Sequence, residues 1–494
     1  MNSPPNLLFL FTDEQRHDTM AAYGNTAIQA PNLNGLAQQS VVFEHAYVTQ
    51  PVCTPSRSSI LTGLYPHTTG CTENNIPLRP ETRCLPEMLT QGTYKTGYHG
   101  KWHLGNEILA QHGFEEWISI EDGYRRYYSP DVDRNAHSTY YHFLIDHGFD
   151  PARRDGDFEH FDRATCARLA EQFGKPAFLA QQASRFIREN RDRPFVLFVN
   201  FLEPHMPFFG PRDGQHDAGA VVLPKNFDAV PTKDQPLKTQ LFQRAYFVEG
   251  HGGVPLKTQR DWRRLIANYW GLISLVDTHV GTILQTLDDC DLAQHTIVVY
   301  TSDHGDMMGS HRLLGKCTMF EEAVKVPLLM RIPWLKNGHR RISVPVSQID
   351  LVPTLLDWMQ QPIPGHLQGQ SLRPLVEGAT EAWEKSVFVE WNGKNNGFGD
   401  VLRKASVPAS MLELATREQA DAAIGDPVRT VIRPQGWKLN YSPLGEHGLY
   451  DLRSDPGETR NLVRHERQVA RDLWAHLCTW QERTEDDVDV SSAP

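Results

Sequence analysis

Leu7-Leu8-Phe9-Leu10-Phe11-Thr12, ending at the carboxylates Asp13 and Glu14, is the stretch on which the fold turns. Its apolar residues run without alternation, so both faces of the strand they predict are buried, as in the inner strands of a parallel sheet. Two further runs have the same form: Phe195 to Phe201 leads to His205, and Thr296 to Thr301 leads to Asp303. Helical patterns lie between them. Leu85 to Gln91 carries Pro86 near its start, and from Asp261 to Leu287 apolar residues recur at helical spacing. Alternating strands and helices predict an α/β layered sheet, whose ligand sites lie beyond the carboxyl ends of the strands. Asp13, His205 and Asp303 all stand at such ends.

Outward from these strands the pattern loosens. Ser119 to Arg163 is polar and rich in tyrosine, and Gly210 to Gly253 is irregular; stretches of this length tend to be functional, and both are expected to wall a substrate cleft. Beyond about Gly378 the pattern changes again. Val387 to Trp391, Val428 to Ile432 and Trp437 to Tyr441 predict antiparallel strands, the last two joined by the turn Pro434-Gln435-Gly436. A final helix puts Val469, Leu473, Leu477 and Trp480 on one stripe that fits a sheet face. Two units follow: a catalytic α/β domain over 1–377 and a small antiparallel sheet plus helix over 378–494. A chain of 494 residues exceeds what one core usually serves.

Composition excludes several classes. With 40% hydrophobic and 22% charged residues the chain is an ordinary globular protein. Its 60 acidic against 49 basic residues, a net charge of -11, give no footprint for nucleic acid or an anionic membrane. Seven scattered cysteines without a C-x-x-C pair argue against a zinc finger and a disulfide framework. The first apolar run is too short for a signal-peptide core and no window reaches the length of a membrane span, so a cytoplasmic location is expected, or a periplasmic one if a leader has been removed.

The most specific string is Cys53-Thr54-Pro55-Ser56-Arg57-Ser58-Ser59-Ile60-Leu61-Thr62-Gly63. Pro55 suits the first turn of a helix, which puts Cys53 at a helix N-terminus, where free N–H groups and the dipole favour an anion. The residues alone thus describe a nucleophile, a neighbouring arginine and an anion-binding helix end. The string resembles the motif of the formylglycine-dependent (type I) sulfatases of the alkaline phosphatase superfamily, in which Cys-x-Pro-Ser-Arg directs oxidation of the cysteine to formylglycine. The resemblance continues through Lys101-Trp102-His103-Leu104-Gly105, Pro204-His205, Asp303-His304-Gly305 before Lys316, and the late Leu449-Tyr450-Asp451 with Asp455-Pro456-Gly457-Glu458. It covers nearly the whole chain and implies a large mixed sheet sandwiched by helices, alkaline phosphatase-like, with a smaller C-terminal α+β domain.

Carboxylates from separate strand ends, Asp13 and Asp303, are hard oxygen ligands for one divalent cation. The resemblance sets Asp13, Glu14, Cys53 as formylglycine, Asp303 and His304 around that ion, usually calcium. Many sulfatases have aspartate where Glu14 stands and asparagine where His304 stands; an imidazole ligand shifts the preference toward manganese or zinc. The resemblance also implies roles. Arg57 and the metal activate one hydroxyl of hydrated formylglycine, Lys101 and Lys316 face the sulfate oxygens, His205 with Lys316 protonates the departing alcohol, and His103 takes the proton that lets sulfate leave by carbon–oxygen cleavage. The expected partners are a sulfate ester of a sugar or aryl alcohol and a formylglycine-generating enzyme, and a homo-oligomer is compatible with the chain. Asn74, Asn75, Tyr127, Tyr128, Trp391 and Asn392 are candidates for the alcohol pocket. Two other readings stay open: a phosphonate monoester or phosphodiester hydrolase of the same superfamily, and an inactive carbohydrate-binding protein.

Overall fold

The computed structural model describes residues 4–155, 158–336, 338–378, 383–393 and 407–494. The run that opens the chain forms β1 (Asn6–Asp13), buried at every position. It lies inside a nine-stranded sheet with β2 (Val41–Tyr47), β3 (Lys95–Gly100), β4 (Glu116–Ser119), β7 (Phe195–Pro204), β8 (Thr296–Ser302), β9 (Lys325–Arg331), β10 (Arg340–Ile342) and β11 (Val346–Ser347). The order is β10-β2-β9-β8-β1-β7-β3-β4, with β11 also on β2. β1 is parallel to both neighbours, pairing Phe9 with Phe198 of β7 and Val299 of β8. Only β9 runs against its two neighbours, β8 and β2, so the sheet is mixed. A short hairpin, β5 (Ala152–Asp155) and β6 (Phe158–Phe161), stands apart.

The long helix Gln259–Asp289 buries Leu265, Leu272, Val276, Val280 and Ile283 along one stripe, two residues longer at each end than its predicted core. Lys175–Glu189 packs beside it and against β7. Two expectations need correction. The helix from Leu85 is a single turn, Leu85–Met88, because Leu89 turns extended and Gly92 takes a left-handed φ of 76°. The stretch from Gly210 holds a thirteen-residue helix, Leu237–Glu249, hidden in the sequence because it buries Lys238 and Thr239 beside Leu241, Phe242 and Tyr246.

The C-terminal strands are antiparallel: β12 (Val387–Glu390), β13 (Arg429–Ile432), β14 (Trp437–Tyr441) and β15 (Gly448–Asp451), with the Pro434–Gly436 turn closed by Arg433 N–H to the Trp437 carbonyl at 2.9 Å. The closing helix, Arg467–Thr484, lays Leu473, Leu477 and Trp480 on Phe388, Val431 and Leu439, while Val387, Val389 and Trp391 face the main core. The small sheet is therefore covered on both faces, with Thr430 and Lys438 buried among the apolar residues. The division set at 377/378 adjoins residues 379–382, which lie outside the described residues. No helix among the described residues is long and apolar enough to cross a membrane.

Candidate active site

The strand order brings the carboxyl ends of β1, β7 and β8 side by side, and the helix Cys53–Thr62 points its N-terminus at them. Val52 is the extended residue before that helix, and Cys53 is its first helical residue. The first helical hydrogen bond is Ser56 N–H to Val52 O at 3.1 Å, so Pro55 sits where no N–H is needed. Asn74 Oδ1 accepts the Thr54 N–H at 3.0 Å, so the helix end is partly capped rather than wholly open to an anion.

Asp13, Cys53, Asp303 and His304 offer ligand atoms that all lie within 4.8 Å of one another, and all four residues are buried. His304 Nδ1 is 2.9 Å from the Gly305 carbonyl, which can only accept, so Nδ1 carries the proton and Nε2 keeps its lone pair. That lone pair faces Asp13 Oδ1 at 3.6 Å, Asp303 Oδ1 at 3.5 Å and Cys53 Sγ at 3.3 Å. Electron pairs turned on one another in a buried space are what a cation requires, and the donor set fits a divalent ion.

Glu14 stands beside this cluster. Its backbone has a left-handed φ of 70°, its N–H bonds Asp303 Oδ1 at 3.1 Å, and its carboxylate joins a second group with Asp13 and His205. Glu14 Oε2 is 3.2 Å from Lys316 Nζ and 3.5 Å from His205 Nε2, and Oε1 has no hydrogen-bond partner. Burial pushes its carboxyl up to about 8 against the pull of Lys316, with Asp306 adding to the rise.

Arg57 organises the positive side. Nη2 donates to Asp13 Oδ2 and Nε to Asp303 Oδ2, each at 2.9 Å, while Nη1 donates to the Lys101 carbonyl at 2.6 Å and Asn200 Oδ1 at 2.7 Å. Lys101 Nζ reaches Asp13 Oδ2 at 2.6 Å and Lys316 Nζ reaches Cys53 Sγ at 3.4 Å. Burial alone would raise the Asp13 carboxyl; Lys101, His205, Arg57 and Lys316 outweigh it and hold the group well below the usual range. Burial and then Asp13 push the Cys53 thiol up, so the unmodified side chain is a poor nucleophile.

His103 and His205, the two histidines given proton-transfer roles, lie in this region as well. His205 donates Nδ1–H to the Met206 carbonyl at 2.9 Å and turns Nε2 to Glu14. His103 meets Asn75 Oδ1 through Nε2 at 3.0 Å, has a left-handed φ of 58°, and its N–H bonds Glu107. Burial holds both imidazoles well below 6.5, helped by Lys101 at His103 and by Lys316 at His205.

Sequence reasoning passed over Asn200, Glu107 and Tyr124. Tyr124 stacks on His103 with ring centroids 3.9 Å apart, whereas Tyr128, proposed for the pocket, is buried. Asn74 and Asn75 belong to the site as supports of Thr54 and His103. Trp391 is buried under Lys238, whose Nζ lies 3.4 Å from the ring centroid, and Asn392 bonds Gln50 and Arg429. The one available signal for Asn200 was a polar residue inside an apolar strand run.

Comparison with known proteins finds sulfatases and a related hydrolase similar over nearly the whole chain. The N-acetylglucosamine-6-O-sulfatase of Bacteroides thetaiotaomicron is 25% identical over 522 residues, covering 93% of this chain and 82% of that protein. The choline-sulfatase of Rhizobium meliloti is 27% identical over 481 residues, covering 94% and 83%. Among solved structures, a phosphonate monoester hydrolase from Silicibacter pomeroyi superposes with a TM-score of 0.76 at 25% identity, covering 98% of this chain and 96% of that one. A profile of the Sulfatase family matches residues 5–361, and the chain, an enzyme with the family's fold, belongs to the Sulfatase family.

Proposed function

We propose that the protein hydrolyses sulfate esters of a sugar or aryl alcohol through a formylglycine made from Cys53, with one divalent ion held by Asp13, residue 53, Asp303 and His304. The observation that carries this is the bare Nε2 of His304 converging with Asp13, Asp303 and Cys53 at the head of the Cys-x-Pro-Ser-Arg helix. Two carboxylates favour calcium, and the imidazole admits manganese. Glu14 lies outside that set, its Oε2 3.2 Å from Lys316 Nζ and its carboxylate grouped with Asp13 and His205. Cys53 is only 1% exposed, so the enzyme that oxidises it meets the chain before folding is complete.

When bound, the ion and formylglycine supply charge neutralisation and an activated hydroxyl. The remaining work falls to side chains. Arg57 and Lys101 neutralise Asp13 and fix it in place, and Lys316 and Lys101 offer ammonium groups to the sulfate oxygens. Lys316 keeps its proton, because nearby Cys53, Glu14 and Asp13 more than offset its burial, and it stands beside His205 as the source of a proton for the leaving oxygen. His103, neutral and stacked on Tyr124, is the base for the step that frees sulfate.

The 25% identical phosphonate monoester hydrolase favours a second reading, in which a singly charged phosphorus ester takes the place of sulfate. Such an ester replaces one of three equivalent oxygens by carbon, leaving one buried donor unpaired at about 1–3 kcal/mol, or roughly tenfold to a hundredfold in rate. The test is kcat/KM for an aryl sulfate and for the phosphonate monoester of the same phenol, with residue 53 checked by peptide mass spectrometry. The sulfate is expected to win by at least that range, with Lys101→Ala narrowing the gap. A faster phosphonate ester overturns the sulfatase reading and keeps the nucleophile.

A further inference from the structure

The polar, tyrosine-rich stretch after β4 brings an arginine against Tyr124, the ring that stacks on His103. Arg163 donates Nε–H and Nη2–H to Glu121 Oε2 at 2.9 and 2.5 Å, and Nη2–H also to Tyr124 Oη at 3.0 Å. Glu121 is fully buried and pairs on its other oxygen with Lys175, so the arginine stands on a rigid base. Its plane also lies over the Tyr124 ring, with the guanidinium carbon 5.4 Å from the centroid, on the same ring that stacks on His103. Arg163 also lines a cavity together with His205, Lys175 and Glu203. The charge of Arg163 reaches both imidazoles, helping to hold each in its neutral form. The side chain is 26% exposed, and Nη1 has no acceptor among the described residues.

An alcohol leaving from the sulfur must pass its oxygen near His205 and project away from the ion. Arg163 is a fixed positive charge on the wall of the cavity that His205 shares, where the neighbouring Lys175 is committed to Glu121. We propose that Arg163, braced by Glu121 and Tyr124, binds the alcohol half of the substrate and selects alcohols that carry an anionic substituent, a carboxylate or a second sulfate, near the scissile oxygen. A guanidinium with one face committed to a carboxylate and Nη1 open presents two N–H bonds to such a group, a pairing stronger than that of neutral partners. The assignment rests on the hydrolase reading of the site but not on the choice between sulfur and phosphorus.

The experiment compares 4-nitrophenyl sulfate with 2-carboxy-4-nitrophenyl sulfate, which differ by one carboxylate and each release a nitrophenol. Wild-type kcat/KM for the carboxylated ester, relative to the plain one, is expected to fall at least tenfold in Arg163→Met and to recover in part in Arg163→Lys, with the plain ester changed less than threefold. A relative preference that moves less than twofold in Arg163→Met overturns the proposal, as does an equal fall for both esters, which marks a merely structural role. If the wild type turns over neither sulfate, the sulfatase reading fails separately. The same ratio is then read from the methylphosphonate monoesters of the two phenols and from equilibrium binding of the two free nitrophenols.

Discussion

Asp303 is held from two directions, by Arg57 Nε on Oδ2 and by the Glu14 N–H on Oδ1, while the bare Nε2 of His304 faces Oδ1 at 3.5 Å. Asp303→Asn removes a charge that both the ion and Arg57 require. It is expected to abolish binding of a divalent ion and to lower kcat/KM by at least about a hundredfold, a typical cost for one preorganised electrostatic group; metal analysis showing full occupancy in the variant would remove Asp303 from the ligand set. Glu14 gives a prediction in pH. Its carboxyl rises from 4.5 to about 8 on folding, so its proton stabilises the folded state fully below pH 4.5, and that contribution is lost as pH rises through about 8. Metal-stripped protein should therefore lose stability between those limits, and Glu14→Gln should flatten the profile. Urea unfolding in chelator at pH 5 and pH 8 measures it, and identical slopes in the two proteins would contradict it.

The helix Cys53–Thr62 has no solvent face, although seven of its ten residues are polar or cysteine. It is stable because its hydroxyls bond inward: Ser58 to the Pro55 carbonyl at 2.7 Å, Thr62 to Ser58 at 2.6 Å, and Ser59 to Leu64 at 2.7 Å. β3 plays a different part, ending at Gly100 with a φ of 129°, where a β-carbon would overlap the Asn200 carbonyl of β7. Asn200 in turn accepts from Arg57. Gly100→Ala is thus expected to cost about 3 kcal/mol or more through strain and overpacking and to reduce kcat along with it. Chemical denaturation and steady-state kinetics on the same preparation check this; unchanged stability would mean that β3 and β7 can separate without cost.

The two sheets meet across a buried charge cluster. Lys438 of β14 lies 3.0 Å from Glu321 Oε1 and 2.9 Å from Glu458 Oε1, Tyr47 of β2 donates to Glu321 Oε2 at 2.9 Å, and the Glu321 N–H donates to Glu458 Oε2 at 2.6 Å. Glu321 opens the short helix that follows the loop carrying Asp303, His304 and Lys316. The late Asp455-Pro456-Gly457-Glu458 stretch therefore acts as a clasp between the C-terminal sheet and the catalytic loop. Lys438→Met leaves Glu458 without a cation and Glu321 with Lys325 alone, at 3.2 Å, and a loss of about 3 kcal/mol is expected. Thermal and urea unfolding read it. A loss below about 1 kcal/mol would show that the clasp is dispensable.

Periodicity and local chemistry are properties of consecutive residues, and they made the central strands, the long helix, the antiparallel C-terminal strands and the Cys53 helix legible from the chain alone. The motif residues were legible too: Asp13, Cys53, Arg57, Lys101, His103, His205, Asp303, His304 and Lys316 gather at one end of the sheet, with Glu14 displaced to the Lys316 side. The tertiary structure decided what depends on distance across the fold. Asn200 is ordinary until β7 lies beside β3 and under Arg57; Tyr124 is ordinary until the chain folds it over His103, and Arg163 until it bonds Tyr124; and Leu237–Glu249 hides its helical stripe because its polar residues become buried only against the C-terminal unit. A strand's pattern reports which of its faces is apolar, whereas a site's supports come from residues tens to hundreds of positions apart, whose meeting is set by sheet order and loop path rather than by any local signal.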